Sequence, residues 1–150
     1  MKPLRSQRLQ RVADIAGRHT DEAANIMGER MRGLDAAKRQ LQELQQFRRD
    51  YAQQPTPCRE SGVSVAELMN RQRFVTRIDQ AIAQQQREIE ERERYLAQAR
   101  VAWLESHSRS TALDTVTQRY RSREQASEER AEQAAVDERM QRQKNVRVAP

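Results

Sequence analysis

The sequence predicts an all-α protein in which two long helices form an antiparallel coiled-coil hairpin, with the second helix longer and overhanging the first. Three observations predict this class. Apolar residues recur every seven residues along much of the chain, residues that break helices are few, and one short break divides the chain in two. A hairpin of this kind has no deep cleft, so the sequence favours a function in contact or transmission over catalysis.

The composition argues against a globular domain. Hydrophobic residues are 36% of the chain, below the roughly 45–50% typical of globular domains, and only 4 Gly and 4 Pro interrupt it. A disordered chain would not keep a seven-residue repeat. The single cysteine, Cys58, excludes an intrachain disulfide. With no apolar run suited to a membrane span or a signal peptide, we expect a reducing, cytoplasmic location.

The first helix is predicted over about residues 4–52. Its two lines of core positions, each with a period of seven, are Leu9, Ala16, Ala23, Arg30, Ala37, Leu44, Tyr51 and Ala13, Thr20, Met27, Leu34, Leu41, Arg48. The lines are rich in alanine at their start and improve toward Leu34 and Leu44. We therefore expect the first half of this helix to be the looser half.

A break is predicted over about residues 53–62, where two prolines and a glycine end one helix and permit a reversal. Ser64 followed by Glu67 then predicts a capping box that opens the second helix, over about residues 63–143, with residues 144–150 as a tail. Its core lines are Leu68, Val75, Ile82, Ile89, Leu96, Trp103, Ser110 and Arg71, Ile78, Gln85, Arg92, Ala99, Ser106, Leu113, Tyr120.

The register of the hairpin follows from a reversal centred on the break. The numbers of facing residues should then add to about 115, which places Leu41 near Phe74 and Leu9 near Ser106. The second helix would have no partner in the chain beyond about residue 115. That segment is expected to find a partner elsewhere, to pair with itself, or to fray.

Residues capable of catalysis are few. The register separates His19 from His107 by roughly 17 Å along the helix axis, no histidine lies near Cys58 in the sequence, and no glycine-rich phosphate loop is present. We therefore predict that the protein is not an enzyme and holds no metal or cofactor.

Positive charge gathers at one end of the predicted hairpin. Residues 1–52 carry a net charge of +4, residues 53–114 of 0 and residues 115–150 of +2. A basic coiled-coil adaptor that binds nucleic acid is one interpretation of this charge. Acidic residues are interspersed with the basic ones nearly everywhere, as in residues 87–94, which favours intrahelical ion pairs and leads us to expect no nucleic acid.

Aromatic residues are sparse and three of them, Phe47, Tyr51 and Phe74, lie near the break. They belong to one stripe on each helix, which together contain Gln40, Leu44, Phe47, Tyr51 and Phe74, Ile78, Ala81, Gln85. Two interpretations stay open at this point. The stripes either widen the core or form a half-exposed patch that binds a protein partner.

At these residues the chain resembles the FliJ family, small cytoplasmic coiled-coil components of the flagellar type III export apparatus. The resemblance is carried by residues 21–29, Gln40–Leu41 through Phe47, Asp50–Tyr51, Gly62, Phe74, Ala81, Trp103 and residues 136–138. It extends over almost the whole chain in length, in the inequality of the two helices and in the position of the break.

The resemblance implies a non-enzymatic stalk, similar to the central stalk of rotary ATPases. FliJ proteins insert into the hexameric ring of the export ATPase FliI, contact the export gate protein FlhA and assist the chaperones of late export substrates. They are peripheral to the inner membrane through these partners. The stalk of a virulence type III injectisome is the nearest alternative, and the nucleic-acid adaptor is the alternative outside this class.

Site residues follow from the same resemblance. The family's gate-contact patch corresponds here to Gln40, Leu44, Phe47, Tyr51, Phe74, Ile78, Ala81 and Gln85. The basic end of the hairpin, which agrees with a stalk that enters a ring, supplies the candidate contacts to the ATPase ring: Arg5, Arg8, Arg11, Arg119, Arg121 and Arg123.

Overall fold

Two long helices make up the fold. The computed structural model describes residues 2–54, 62 and 64–148, and in it α1 spans Arg5–Gln53 and α2 spans Val65–Val148. The helices pack against each other in opposite directions, and the described residues contain no strand, so the predicted all-α hairpin is confirmed. Most of the predicted break, including Cys58, lies outside the described residues. Residues 144–148, expected as a tail, continue α2.

The helix ends beside the break are capped by polar side chains. The backbone N–H of Glu67 donates to Ser64 Oγ at 3.2 Å, as expected of an N-cap residue. Gly62 has φ of 81°, in the left-handed region that favours glycine. The last turn of α1 has no basic residue of its own. Instead, Arg71 of α2 donates to the carbonyl oxygens of Tyr51 and Gln54 at 3.2 and 2.7 Å, which satisfies carbonyls that the helix end leaves free.

The core follows the predicted seven-residue lines. In α2, every predicted core position from Val75 to Tyr120 is buried or half-buried, while Leu68 is exposed. In α1 the predicted positions are likewise buried or half-buried, except Arg30 and Arg48. The buried apolar residues are Ala13, Ala16, Leu34, Ala37, Ile78, Ile89, Leu96 and Ala99. The periodicity of the sequence therefore predicts which face of each helix is covered.

Packing divides the chain into two compact units. The loop-side unit, Ala23–Trp103, contains the main apolar cluster, in which Leu34, Ala37, Ile89 and Leu96 are buried and Met27 and Leu41 pack against them. The terminal unit combines the residues up to Glu22 with those from Leu104 onward. Alanines and hydroxyl groups fill its core, so it buries less apolar area per helical turn.

The register differs from the prediction. The rings of Tyr51 and Phe74 are 4.6 Å apart, and in the terminal unit Thr20 Oγ1 lies 3.2 Å from Ser106 Oγ. Facing residue numbers therefore add to about 125 in the loop-side unit and to about 126–131 in the terminal unit, instead of about 115. The predicted neighbours Leu41 with Phe74 and Leu9 with Ser106 were wrong.

The fit of facing side chains determines this register. A reversal centred on the break does not predict it. In the loop-side unit, a Cβ atom at Gly33 would lie 2.7 Å from Nη1 of Arg92, so the glycine makes room for the arginine at a core position. Arg92 also pairs with Glu88 at 3.0 Å, which keeps its charge compensated. A register ten residues away would lose this match of a small residue with a large one.

Two further expectations change with the register. Ser106 lies beside Thr20, so the separation of roughly 17 Å derived for His19 and His107 no longer follows. Ser6 of α1 is hydrogen-bonded to Glu124, so the residues between 115 and 124 do have partners in the chain. The overhang, defined as residues 125–148, starts ten residues later than predicted, and all of its residues are exposed.

The register can be checked by cross-linking. We expect Thr20→Cys with Ser106→Cys, in a Cys58→Ser background, to form a disulfide within one chain, because the oxygens that the two sulfur atoms replace lie 3.2 Å apart. Non-reducing electrophoresis and peptide mass spectrometry measure the product. Leu9→Cys with Ser106→Cys is the matched control and should stay reduced. The opposite pattern would restore the register that symmetry predicts.

Candidate functional site: two protein-contact surfaces

The aromatic patch lies in the loop-side unit. It consists of the eight residues predicted to contact the gate protein, which are Gln40, Leu44, Phe47, Tyr51, Phe74, Ile78, Ala81 and Gln85. Its rings join the two helices. Phe47 and Phe74 meet edge to face with centroids 6.0 Å apart, and Tyr51 tilts against Phe74 at 4.6 Å. Such aromatic contacts stabilise by about 0.5–1.5 kcal/mol each beyond the area they bury.

The patch is layered from core to surface. Ile78 is 6% exposed and Tyr51 is half-buried, whereas Phe47 is 50% exposed and Phe74 is 37% exposed. Ile78 and Tyr51 therefore widen the core, while the two phenylalanines offer apolar surface above it. The sequence left open whether these residues widen the core or form a half-exposed patch. Ile78 and Tyr51 fit the first interpretation, and the exposed phenylalanines, which are available to a partner, fit the second.

Polar contacts fix the edge of the patch. Gln85 Nε2 donates to the carbonyl oxygen of Ala37 at 2.9 Å and to Gln40 Oε1 at 3.1 Å. These two glutamines, with Glu43, Leu44 and Phe47, line a shallow groove of about 460 Å³. The amide groups are thus held in one orientation before any partner binds, which lowers the entropy lost on binding.

An ion pair between α1 and α2 lies near the aromatic rings of the patch. Arg48 donates to the carboxylate of Asp79, and its Nη2 lies 3.4 Å from Oδ2. The hydrogen bond to Asp79 and the negative charge of Asp79 raise the pKa of the Arg48 guanidinium. This ion pair explains why a charged residue, Arg48, occupies a predicted core position of α1. Its side chain remains exposed and pairs with Asp79 of α2.

The basic band lies in the terminal unit and consists of Lys2, Arg5, Arg8, Arg11, Arg119, Arg121 and Arg123. Within residues 2–13 and 115–124, Glu124 is the one acidic residue. The fold brings the two halves of the band together. Arg121 Nη2 donates to Gln10 Oε1 at 2.8 Å. Cζ of Arg5 and Cζ of Arg123 lie 5.2 and 5.6 Å from the ring centroid of Tyr120.

The arginines of the band are therefore of two kinds. Arg5 and Arg121 hold α1 and α2 together through Tyr120 and Gln10, while Arg123 packs against Tyr120 within α2. Arg8, Arg11 and Arg119 are exposed, and no residue in the described part of the chain forms a hydrogen bond or an ion pair with their side chains. Their charges are the ones free to meet a partner.

Glu124 is a structural residue that the sequence pattern did not reveal. One carboxylate oxygen accepts the backbone N–H of Ser6 at 3.1 Å, and the other accepts the hydroxyl of Ser6. Ser6 lies in the first turn of α1, where N–H groups lack partners within the helix and the helix dipole favours a negative charge. The hydroxyl of Ser6, then the backbone N–H groups of Ser6 and Arg5 and the charge of Arg121, lower the pKa of Glu124.

This cap predicts a pH dependence. The folded state lowers the pKa of Glu124. The contribution of Glu124 to the free energy of unfolding is therefore complete above the ordinary carboxyl pKa of about 4.3, and it is lost as pH falls through the lower pKa of the folded state. Glu124→Gln should lower the urea midpoint at pH 7 and reduce the loss of stability on acidification. Urea titrations followed by circular dichroism measure both. Glu128→Gln, at an exposed position of the overhang, is the control; equal effects of the two substitutions would contradict the cap.

No group of three His, Cys, Asp or Glu residues in the described ranges could hold a metal ion. No described helix is long and apolar enough to cross a bilayer. What the two surfaces offer is exposed aromatic area in one unit and unpaired positive charge in the other.

These features define a two-helix coiled-coil protein with an exposed aromatic patch in one unit and an exposed basic band in the other. The chain belongs to the FliJ family, since the family model described as Flagellar FliJ protein matches residues 5–148. It is 27% identical over 134 residues to the Flagellar FliJ protein of Salmonella typhi, covering 89% of this chain and 91% of that protein. It is 26% identical over 129 residues to the Flagellar FliJ protein of Escherichia coli K12, covering 86% and 88%. The family predicted from the sequence is confirmed.

Proposed function

We propose that this protein is a non-enzymatic component of the flagellar type III export apparatus, in which it links the export ATPase FliI to the export gate protein FlhA and assists chaperones of late substrates. The observation that carries the proposal is the family match over residues 5–148, which includes both contact surfaces apart from Lys2. A flagellar family also favours this function over the stalk of a virulence injectisome. The protein works in the cytoplasm, where its partners hold it at the inner membrane.

In this proposal the aromatic patch binds the gate protein. Large apolar side chains that are already half-exposed and backed by a firm core are typical of residues that dominate binding energy. Phe47 and Phe74 meet this description, since they are 50% and 37% exposed and their rings pack edge to face. Gln40 and Gln85 supply oriented polar groups at the rim.

The basic band and the overhang bind the ATPase ring. Arg8, Arg11 and Arg119 supply charge that would steer the protein toward an acidic lumen. The overhang supplies roughly 36 Å of helix with every side chain exposed, which is suited to a narrow channel. Because Arg5 and Arg121 join the two helices and Arg123 packs against Tyr120, the part of these three residues in ring binding is to position the other three.

Co-purification with the cognate export ATPase and a non-hydrolysable nucleotide tests this function. We expect electron microscopy to reveal rings with central density that disappears when the protein is omitted. Rings with an empty centre, together with failure of the protein to co-purify, would contradict the proposal. Co-purification of nucleic acid in place of the ATPase would favour the adaptor.

A further inference from the structure

The terminal unit has two flanks, which are the surfaces on either side of the core lines where α1 and α2 meet. Contacts identify which residues share a flank. Arg5 of α1 and Arg123 of α2 approach the ring of Tyr120 from the two helices, with Cζ at 5.2 and 5.6 Å from its centroid. Arg121, two residues before Arg123, points to the other side of α2, where it donates to Gln10 at 2.8 Å. Each pair of residues therefore marks one flank.

The flank marked by Arg5 and Arg123, here called the basic flank, carries positive charge from both helices. Residues seven apart lie on the same side of a coiled-coil helix, and residues three or four apart are neighbours on its surface. These spacings place five exposed arginines on this flank, which are Arg5, Arg8, Arg109, Arg119 and Arg123. Within residues 5–19 and 109–123, no acidic residue falls on the basic flank.

The carboxylates of these two ranges lie on the opposite flank. Asp14 Oδ1 accepts a hydrogen bond from Gln10 Nε2 at 2.9 Å, so Asp14 shares the flank of Gln10. Asp114 lies seven residues before Arg121 and falls on the same side. The hairpin therefore separates charges that are interspersed along the sequence, and a positive field faces one side of the terminal unit.

Aliphatic side chains lie among the arginines of the basic flank. Val12 lies seven residues after Arg5, and Ile15 lies three residues further on. Their side chains are 49% and 52% exposed. Val116 is half-buried, and the register of the terminal unit places it across from Val12. The basic flank thus presents an apolar centre that is bordered by positive charge on both helices.

We propose that the basic flank of the terminal unit binds the surface of a lipid bilayer that contains anionic phospholipids. The arginines contact the lipid phosphate groups, and Val12 and Ile15 enter the boundary between headgroups and acyl chains, roughly 5–10 Å deep. Basic residues around a modest apolar centre are typical of helices that lie in the plane of a membrane interface. The terminal unit lies on its flank, so the arginines of α1 and α2 contact the bilayer together.

The apolar centre favours a bilayer over a nucleic acid, which is the other large polyanion. Contacts to a phosphate backbone depend on charge and gain nothing from exposed aliphatic groups such as Val12 and Ile15. Nucleic acid bases stack on aromatic rings, but the ring of Tyr120 is half-buried and already packs against Arg5 and Arg123. Aliphatic groups between arginines match the chemistry of a headgroup layer above acyl chains.

The contact is weak and reversible, because its apolar area is small and its charges are screened by salt. It goes beyond the proposed function, in which partner proteins hold the protein at the membrane, and does not depend on it. It uses Arg8 and Arg119, which the proposed function gives to the ATPase ring, so lipid binding and ring binding exclude each other. The bilayer therefore covers the basic flank until the ATPase ring replaces it.

Vesicle binding by the full-length protein tests the proposal. We expect the wild type to sediment with vesicles made of phosphatidylglycerol and phosphatidylcholine in equal parts, and to stay in solution with vesicles of phosphatidylcholine alone. Added salt should weaken the binding. Arg8→Gln with Arg119→Gln should lower the partition coefficient roughly twentyfold, since each basic residue near an anionic surface contributes about fivefold.

A matched control makes the same change of net charge on the opposite flank. Gln7→Glu with Gln118→Glu changes exposed residues that lie seven before Asp14 and three before Arg121. These positions are roughly one helix diameter of 10–12 Å farther from the bilayer, which exceeds the Debye length of about 8 Å at physiological ionic strength. The partition coefficient should therefore fall by less than about threefold.

The apolar centre is tested separately from the charges. Val12→Gln with Ile15→Gln should weaken vesicle binding about tenfold and leave its salt dependence unchanged, because apolar area is lost and charge is kept. In a Cys58→Ser background, an environment-sensitive fluorophore on Ile15→Cys should brighten when anionic vesicles are added, and the same fluorophore on Gln118→Cys should not. Circular dichroism checks that every variant keeps the helix content of the wild type.

Three results would overturn the proposal. The first is a wild type that does not sediment with anionic vesicles at low salt; binding of a DNA duplex through Arg8 and Arg119 would then assign the flank to nucleic acid. The second is an equal loss of vesicle binding in the arginine variant and its control. The third is an equal fluorescence response at both labelled positions. No measurement includes the ATPase or the gate protein, so failure of the lipid contact leaves the proposed function standing.

Discussion

Replacing Phe47 and Phe74 together with alanine is expected to weaken binding of the gate protein's cytoplasmic domain by roughly a hundredfold or more. Truncation of one aromatic anchor at an interface commonly costs about 2 kcal/mol, and the costs of two neighbouring anchors add only in part. Helicity should change little, since the two side chains are 50% and 37% exposed in the free protein and the core beneath them remains. Isothermal titration calorimetry measures the affinity, and circular dichroism measures the helix content.

The control for this prediction removes equally exposed apolar groups elsewhere in the loop-side unit. Ile26→Ala with Val101→Ala affects side chains that are 49% and 56% exposed and lie outside the patch. This variant should bind the gate protein as the wild type does. If the phenylalanine variant instead loses thermal stability while its folded fraction binds normally, the rings serve the core alone.

Removing the overhang is expected to abolish stimulation of the export ATPase while leaving gate binding intact. The truncation should begin after Gln125, because Glu124 caps the first turn of α1 and its loss would disturb the basic band as well. Phosphate release by the ATPase measures stimulation, and calorimetry measures gate binding. Normal stimulation by the truncated protein would remove the overhang from the proposed ring contact.

A charge variant separates the basic band from the overhang. Reversal of Arg8, Arg11 and Arg119 to glutamate acts on exposed charges whose side chains form no hydrogen bond or ion pair among the described residues. It should therefore reduce stimulation and its salt dependence without loosening the hairpin. Arg87→Glu with Arg100→Glu, exposed in the loop-side unit, is the control. Equal losses of ATPase stimulation in both variants would indicate that the net charge of the protein, and not the position of the basic band, causes the effect.

Periodicity predicted much of this fold because a seven-residue repeat depends only on local spacing. It placed Leu34, Ile89 and Leu96 in the core and left the register open. The register depends on which side chains fit across the helices, as Arg92 fits opposite Gly33. Symmetry about the break could not supply that information, which explains the shift of about ten residues.

The functional surfaces were predictable to the same extent. The sequence pattern predicted a cluster of Phe47, Tyr51 and Phe74, and their rings do meet, whereas the binding of a partner by this cluster stays a prediction. Glu124 and Arg71 were missed because each caps an end of α1 from the opposite helix, so their roles depend on the register. The sequence did contain one signal that Glu124 has a structural role, since its carboxylate stands alone among the seven basic residues of the band.

The central claim is that one chain connects the export ATPase to the gate protein. Co-sedimentation of the gate protein's cytoplasmic domain with the assembled ATPase, with and without this protein, tests it most directly. We predict recovery of the gate protein only when the wild type is present, and loss of that recovery with either the Phe47→Ala, Phe74→Ala variant or the truncation after Gln125. Equal recovery of the gate protein in the absence of this protein would contradict the account.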